Sequence, residues 1–421
     1  MAEKFIINGG KTLKGEIETR GAKNAAFPVL AATLLTDDVC VIDNIPLIKD
    51  ILLFMEILKT LGKQVEWLGE RKIKIQGKLK KPSKKTEELI KKLRGSVLLI
   101  GPILARLGEF NLPQPGGCLI GSRPISTHLD AFKQLGAEIS VKADKDREYF
   151  EIRIEDKPKN KVILNEFSVT ATENVILFSS FFKKETIIKI ADCDYEIQEL
   201  KSFLERMGAE IEEISSHCYS IKGGNLKGTE HRIINDPIEA GTFILMAAAT
   251  KSDLIVKDVE VEYLELVIKR LKDFGLPIEV QGNNVKVKPW AVLRMEKVQA
   301  LPYPGIATDL LPLFGVLATQ TEGTTLIHDP LYEGRLRYLN ELNKMGAQII
   351  FADPHRAIIN GPTELRGVDV DSPDLRGGAS LIVGALLANG QTTINNIGQI
   401  DRGYERIEER LKKIGADIKR K

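Results

Sequence analysis

Cys118 stands in NLPQPGGCLIGSRP, residues 111–124, a stretch rich in proline and glycine that reads as a mobile loop. A thiol there is exposed, and Arg123, five residues on, favours its thiolate. Cys40, Cys193 and Cys218 lie in no such loop and read as small buried apolar side chains. Lys23 and Asn24, in RGAKNAA, open an apolar helix, where unpaired backbone N–H groups and the positive end of the dipole attract an anion. Corresponding places further along the chain carry Arg94, Asp309, and Asp374 with Arg376, and Arg402 opens the last amphipathic helix in IDRGYERIEERLKKIG. Polar side chains at one end of the repeated helices come together if those helices pack in parallel, which makes a convergent site rather than a solvated face. Metal chemistry is not expected, because the histidines at 128, 217, 231, 328 and 355 and the cysteines show no ligand spacing. Gly9, Gly10, Lys11 and Thr12 imitate a phosphate-binding loop, but Phe5 occupies the place of its first glycine.

The elements that must position these residues repeat. A helix end runs through an apolar residue into Gly and then a strand at LKTLGKQVEW, FKQLGAEISV, LERMGAEIEE, LKDFGLPIEV, LNKMGAQIIF and LKKIGADIKR. The glycines, at 62, 136, 208, 275, 346 and 415, are spaced by 74, 72, 67, 71 and 69 residues, and each reads as a left-handed helix cap. Before each lies a helix apolar nearly all round, as in GAKNAAFPVLAATLL, and such helices belong inside a core. Each segment of about 70 residues therefore predicts strand, buried helix, strand, amphipathic helix and a final pair of strands.

Six such segments exceed one hydrophobic core, so 421 residues predict two similar α/β domains of three βαβαββ units each, with buried parallel helices. The exposed run KGGNLKGT, residues 222–229, places the division near 232. An open solenoid suits long apolar helices less well. Sixty basic against fifty-eight acidic residues give a net charge of +2, with 43% hydrophobic residues. That balance points to no nucleic-acid or membrane partner. The first residues lack the apolar core of a secretion signal and the cysteines are too scattered for a disulfide framework, so a cytoplasmic protein with free thiols is expected.

GAKNAAFPVLAATLL, PGGCLIGSRP, TDLLP, SPDLRGGASLIVGALLA and DRGYERIEERLKKIGA together resemble the enolpyruvyl transferases, along the whole chain. GAKNA, a PGGC loop and DRGYERI together resemble the branch acting on UDP-N-acetylglucosamine rather than the shikimate branch, which lacks the loop cysteine. The resemblance implies the family fold, an inside-out α/β barrel in each domain, with a first domain over 22–232 and a second over 1–21 and 233–421. It implies transfer of the enolpyruvyl group of phosphoenolpyruvate to the sugar 3-hydroxyl with release of phosphate, the first committed step of peptidoglycan synthesis, without a cofactor or metal. Cys118 is then the acid and the site of a pyruvate adduct, and Asp309 the base. Lys23, Arg123 and Arg402 are phosphate-side cations, with Arg376 and Arg335 as their partners. Asn24 is a substrate amide contact, Arg94 a nucleotide contact, and Arg123, Pro124, Ile125, Ser126, Thr127 and His128 the uridine wall. Ser168, Val169 and Thr170 meet the diphosphate, while Leu331 and Asp374 complete the substrate contacts. With these cations on both sides of the division, Lys23 and Arg123 before it and Arg376 and Arg402 after it, closure of the domains over the substrates is expected, with the Gly- and Pro-rich residues 111–124 as a lid. Three departures stand out: the wall reads RPISTH where the family commonly has RPVDLH, Pro237 replaces a common Arg, and YEGR at 332–335 varies FENR. The altered wall supports one rival, an enolpyruvyl transferase with another acceptor; a second, a catalytically silent nucleotide-sugar binder, is opposed by the retained Cys118, Lys23, Asp309 and Arg402.

Overall fold

The glycines at 62, 136, 208, 275, 346 and 415 all take left-handed backbone angles, with φ between 94° and 107°. Each turns the chain out of an amphipathic helix and into a strand, a conformation in which a side chain would be strained. The protein is described as a computed structural model over residues 3–116, 124–144, 147–154 and 159–421.

One repeat shows the pattern in full. Strand Lys297–Gln299 leads through helix Leu311–Ala318 to strand Gly323–His328, and helix Tyr338–Lys344 leads on to the hairpin Gln348–Asp353 and Arg356–Gly361. The first two strands pair in parallel and the hairpin closes the sheet antiparallel. The crossover helix is buried on every side because its sequence, LPLFGVLA, offers no polar face. Gly315 within it is required by packing, since a Cβ there would fall 2.0 Å from the Tyr338 hydroxyl oxygen.

Among the described residues the chain forms two compact units, one of residues up to Arg20 with Asn235–Lys421, the other from Gly21 to Ile234. The changes of unit fall at 20/21 and 234/235. The unit containing both chain ends has three four-stranded sheets. In one of these, strand Phe5–Asn8 lies between Gln391–Asn395 and Asp417–Arg420; in another, Lys14–Glu18 runs parallel to Asp253–Lys257. Its three apolar helices, Pro237–Ala249, Leu311–Ala318 and Leu375–Leu387, pack on one another. The other unit has two four-stranded sheets and a three-stranded one made of Glu109–Pro113, Arg147–Arg153 and Glu138–Asp144. There helix Val169–Ser179 packs against both Lys23–Ala32 and Ile100–Leu107. Strand Glu230–Arg232 supplies the parallel edge beside Cys40–Asp43, so each passage of the chain between units carries a strand on which its sheet depends.

Two local expectations change. Residues 111–113, taken as the start of a loop, end the strand Glu109–Pro113, and Leu112 is buried. The apolar run from Arg94 begins as a 3-10 helix, Arg94–Leu99, before the α-helix Ile100–Leu107. Pro102 explains the position of the join, because it lacks an N–H and is accommodated in a first turn.

Four repeats place a left-handed residue directly after their second strand: Asn44, Ile190, Asp258 and Asn396, with φ of 55° to 60°. Asn and Asp tolerate this conformation, whereas a β-branched side chain is strained by roughly 1–2 kcal/mol. Ile190 is also 38% exposed, so it gains little from burial. Ile190→Asn is expected to raise stability by about 1 kcal/mol, measured as a higher urea midpoint; an unchanged or lower midpoint would contradict the strain.

Candidate active site

In the unit that includes Asn235–Lys421, Thr308 and Asp309 end the turn before helix Leu311–Ala318. Asp309 Oδ1 accepts from Arg335 Nη2 at 2.8 Å and Oδ2 accepts from Arg376 Nε at 2.9 Å. Both arginines are almost fully buried, and the Asp309 side chain keeps 25% of its exposure. A buried guanidinium survives only if paired, and Arg335 is paired several times over. Its Nε donates to Thr308 Oγ1 at 3.1 Å, and carboxylate oxygens of Asp329 and Asp374 lie 3.8 Å from the group. Thr308 in turn donates to Asp329 Oδ2, while Asp329 Oδ1 accepts from the backbone N–H groups of Leu331 and Tyr332.

Arg376 is the second residue of helix Leu375–Leu387. Asp374 caps that helix, its Oδ1 accepting from the N–H groups of Arg376 and Gly377 at 3.0 Å each. The guanidinium lies 5.2 Å from the Tyr404 ring centre, and Nη1 and Nη2 are buried without a hydrogen-bond partner. Arg402 ends the 3-10 helix Ile397–Arg402 and donates to Gln399 Oε1 at 3.1 Å. The Leu331 side chain is 40% exposed. The structure thus joins Asp309, Arg335, Arg376 and Asp374 in one network. Its centre is the partly open Asp309, held between the two guanidinium groups.

The unit from Gly21 to Ile234 places the remaining expected residues at helix starts. Lys23 opens helix Lys23–Ala32 beside Asn24, its ammonium 6.0 Å from the centre of the Phe27 ring. Gly95 faces the same ring, where a Cβ would approach to 3.0 Å. Phe27 therefore sets Lys23 and the turn carrying Arg94 against one support. Asn174 ties that turn down further, donating to Val97 O and accepting from Gly101 N. Ser168 caps helix Val169–Ser179, accepting from Ala171 N, with Val169 and Thr170 in its first turn. Pro124, Ile125, Ser126, Thr127 and His128 lead into helix Ser126–Gln134, and His128 Nε2 lies 2.9 Å from Thr170 Oγ1. Two stretches read separately in the sequence are thereby neighbours. Cys118 and Arg123 lie outside the described residues.

The chain was compared with known proteins. The pattern of the family described as EPSP synthase (3-phosphoshikimate 1-carboxyvinyltransferase) matches residues 7–411. UDP-N-acetylglucosamine 1-carboxyvinyltransferase 1 of Carboxydothermus hydrogenoformans is 40% identical over 419 residues, covering 99% of this chain and 98% of that protein. The Treponema denticola UDP-N-acetylglucosamine 1-carboxyvinyltransferase is 38% identical over 427 residues, covering 99% of each. The chain belongs to the enolpyruvyl transferase family. Its full-length relatives place it in the UDP-N-acetylglucosamine 1-carboxyvinyltransferase branch. The enolpyruvyl transferase NikO of Streptomyces tendae has the same fold, with a TM-score of 0.90 at 22% identity over 100% of this chain and 99% of that one. EPSP synthase from Acinetobacter baumannii superposes with a TM-score of 0.78 at 18% identity, covering 100% of each chain. The two α/β domains with their mixed sheets are the enolpyruvyl transferase architecture.

Sequence reasoning missed Thr308, Asp329 and Tyr404. Asp329 had a usable signal: it directly follows the second strand of its repeat, the place held elsewhere by Asn44, Asp258 and Asn396. Glu173 was missed as well. It sits in the buried core of helix Val169–Ser179 with Oε1 unpartnered. Burial above all, then the neighbouring Glu196, Asp194 and Asp192, push its pKa well above the ordinary carboxyl range.

Burial covers two of the three described thiols, and acidic neighbours oppose a thiolate at the third. Cys40 and Cys218 are buried, and burial raises the Cys40 pKa. Cys193, expected in a core, is half-buried in the acidic stretch before helix Tyr195–Met207. Burial, then Asp192, Glu213 and Asp194, push it up to about 11. At pH 7 an electrophile should therefore label Cys118 first; peptide mapping that finds Cys40, Cys193 or Cys218 modified ahead of it would contradict this. Glu173 gives a second prediction. Its raised pKa favours the protonated form in the folded chain, whereas the unfolded chain ionises once pH exceeds the usual carboxyl range, so stability falls as pH rises above that range. Glu173→Gln should melt at higher temperature than the parent, by a margin that grows from pH 5 to pH 8. A margin independent of pH would refute the assignment.

Proposed function

We propose that this enolpyruvyl transferase moves the enolpyruvyl group of phosphoenolpyruvate to the 3-hydroxyl of UDP-N-acetylglucosamine. The observation that carries the reading is Asp309, partly exposed and fixed between two buried guanidinium groups. The 38–40% identical, full-length relatives that bear this activity in their names support it. In the addition step the Cys118 thiol protonates the methylene carbon of phosphoenolpyruvate, the sugar 3-oxygen bonds to C2, and Asp309 takes the hydroxyl proton. In the elimination step the new methyl group returns a proton to the Cys118 thiolate, the C2 to phosphate-oxygen bond breaks, and phosphate leaves with the proton that Asp309 had taken. Addition of the Cys118 S–H across the double bond instead, sulfur to C2 and proton to the methylene carbon, gives the covalent adduct. Lys23, Arg123 and Arg402 stabilise the phosphate charge, and Arg335 and Arg376 hold Asp309 in place. Asn24 and Arg94 contact substrate and nucleotide. The wall from Arg123 to His128 takes the uridine; Ser168, Val169 and Thr170 take the diphosphate; Leu331 and Asp374 line the sugar. Residues 22–232 form the domain with the thiol loop, and residues 1–21 with 233–421 the domain with the base. The reaction belongs to peptidoglycan synthesis in the cytoplasm, where reducing conditions keep the Cys118 thiol free.

The test is phosphate release from phosphoenolpyruvate with and without UDP-N-acetylglucosamine. Asp309→Asn preserves shape and the acceptor facing Arg335 but removes the base, so it should keep acceptor binding and lose about 10²- to 10⁴-fold in kcat. Turnover near that of the parent would exclude Asp309 from proton transfer, and no acceptor-dependent phosphate would exclude the reaction.

A further inference from the structure

As a base, Asp309 has to take a proton while two buried guanidinium groups favour its ionised form. Once neutral, it would also deprive both arginines of the charge they now face. The structure gives each of them another carboxylate. Arg376 is acted on by the charge of Asp236, the buried cap of helix Pro237–Ala249. Arg335 has Asp374 and Asp329, each with an oxygen 3.8 Å away. Asp329 stands apart in having no exposed surface at all. Its Oδ2 accepts from the Thr308 hydroxyl, which itself accepts from Arg335 Nε at 3.1 Å. Its Oδ1 accepts from the N–H groups of Leu331 and Tyr332 at 2.8 and 3.0 Å. An Asn would serve those two backbone groups equally well, so it is Arg335 that calls for the charge. Two further titratable groups face Asp329: His355, whose Nδ1 lies 2.7 Å from its backbone oxygen, and Tyr338, whose hydroxyl is kept un-ionised by burial and then by the Asp329 charge.

We propose that Asp329 is the counter-charge that lets Asp309 work as a base, a positioning residue that compensates Arg335 at the moment Asp309 becomes neutral. This rests on the reading of Asp309 as the group that deprotonates the sugar hydroxyl. Before transfer, Arg335 faces Asp309, Asp329 and Asp374 together. As the sugar oxygen bonds to C2, its proton passes to Asp309, and Asp329 keeps its own charge throughout. Arg335 then retains Asp374 and, both directly and through Thr308, Asp329, so no buried guanidinium is left uncompensated. The same negative charge, fixed behind Arg335, offsets part of the positive potential at Asp309. Asp309 therefore binds a proton more readily than two arginines alone would allow.

The experiment follows kcat and KM for phosphate release with phosphoenolpyruvate and UDP-N-acetylglucosamine as pH is lowered, in the parent, Asp329→Asn, Asp329→Glu and Asp309→Asn. In the parent, kcat should fall toward acid as the base becomes protonated, with a midpoint above about pH 4. Asp329→Asn withdraws a negative charge and so favours ionised Asp309, which should move that limb to lower pH by about one unit. A weaker base accepts the proton less readily, so kcat at neutral pH should fall about 10-fold. KM for UDP-N-acetylglucosamine should stay near the parent's, because Asn keeps the contacts to Leu331 and Tyr332. Asp329→Glu retains the charge and should retain the parent's limb, whatever its longer side chain does to kcat. A merely structural role would lower kcat without moving the limb. Should Asp329→Asn alone fail to fold, the limb is compared between Arg335→Gln and Arg335→Gln with Asp329→Asn, and the double variant should lie lower. A limb unmoved or raised by Asp329→Asn, or a parent with full kcat down to about pH 4, overturns the inference; a large kcat loss in Asp309→Asn then leaves the base assignment standing. If Asp309→Asn turns over like the parent, both fall.

Discussion

Arg335 is a full charge with about 2% of its side chain exposed, and the half of the chain that carries Asp309 is arranged to make that tolerable. A guanidinium removed from water needs acceptors in the plane of its donors. Asp309, Thr308, Asp329 and Asp374 supply them from three separate turns. Each partner is fixed in its turn by something further. Asp329 is held by two backbone N–H groups and Asp374 by the start of the helix it caps. The Tyr338 ring beyond Arg335 fits because Gly315 has no side chain. Breaking one link leaves a buried charge uncompensated, so these loops have little freedom to move independently. Asp309 consequently has a defined orientation although it is the member of the network most open to solvent.

The repeat explains how such a network arises in so ordinary a composition. Every unit delivers a loop to the start of a buried helix, and that start presents unpaired N–H groups together with the first side chains of the helix. Placing Asp, Arg, Lys or Ser there, as at 23, 94, 168, 309 and 376, puts polar chemistry where the scaffold is most rigid. The glycine caps at the other end of each repeat do the complementary work of turning the chain back into the sheet.

What could be read from the sequence follows from how local its cause is. The caps at 62, 136, 208, 275, 346 and 415 were legible because a left-handed glycine after an amphipathic helix is a short-range signal. The buried helices were legible because LPLFGVLA and similar runs have no polar face. The strand partnerships were not: Phe5–Asn8 pairs with strands near residues 391 and 417, and Glu230–Arg232 with Cys40–Asp43, separations that no local pattern encodes. At the site, Asp309, Arg335, Arg376 and Asp374 were named, but the pairing of both arginines with the one carboxylate was not visible. Asp329 went unnoticed because IHDP reads as a strand end followed by a turn, and its role appears only when Arg335 folds over it. Ile190 shows the opposite failure: its sequence context reads as ordinary, and only the backbone reveals an Asn or Asp position filled by a β-branched residue.

Carboxylates in the two units show how far environment decides chemistry for one residue type. Asp309 lies between two guanidinium groups, charges that favour its ionised form. Glu173 lies in a helix core with other carboxylates as its nearest charges, and burial drives it to keep its proton. Opposite pressures of this kind are how one protein holds an acid and a base at a single pH. The same rule separates the thiols, since Asp192, Asp194 and Glu213 oppose a thiolate at Cys193 while Arg123 stands five residues from Cys118 in the sequence. The division of labour in this chain is therefore set less by which residues are present than by which charges are buried beside them.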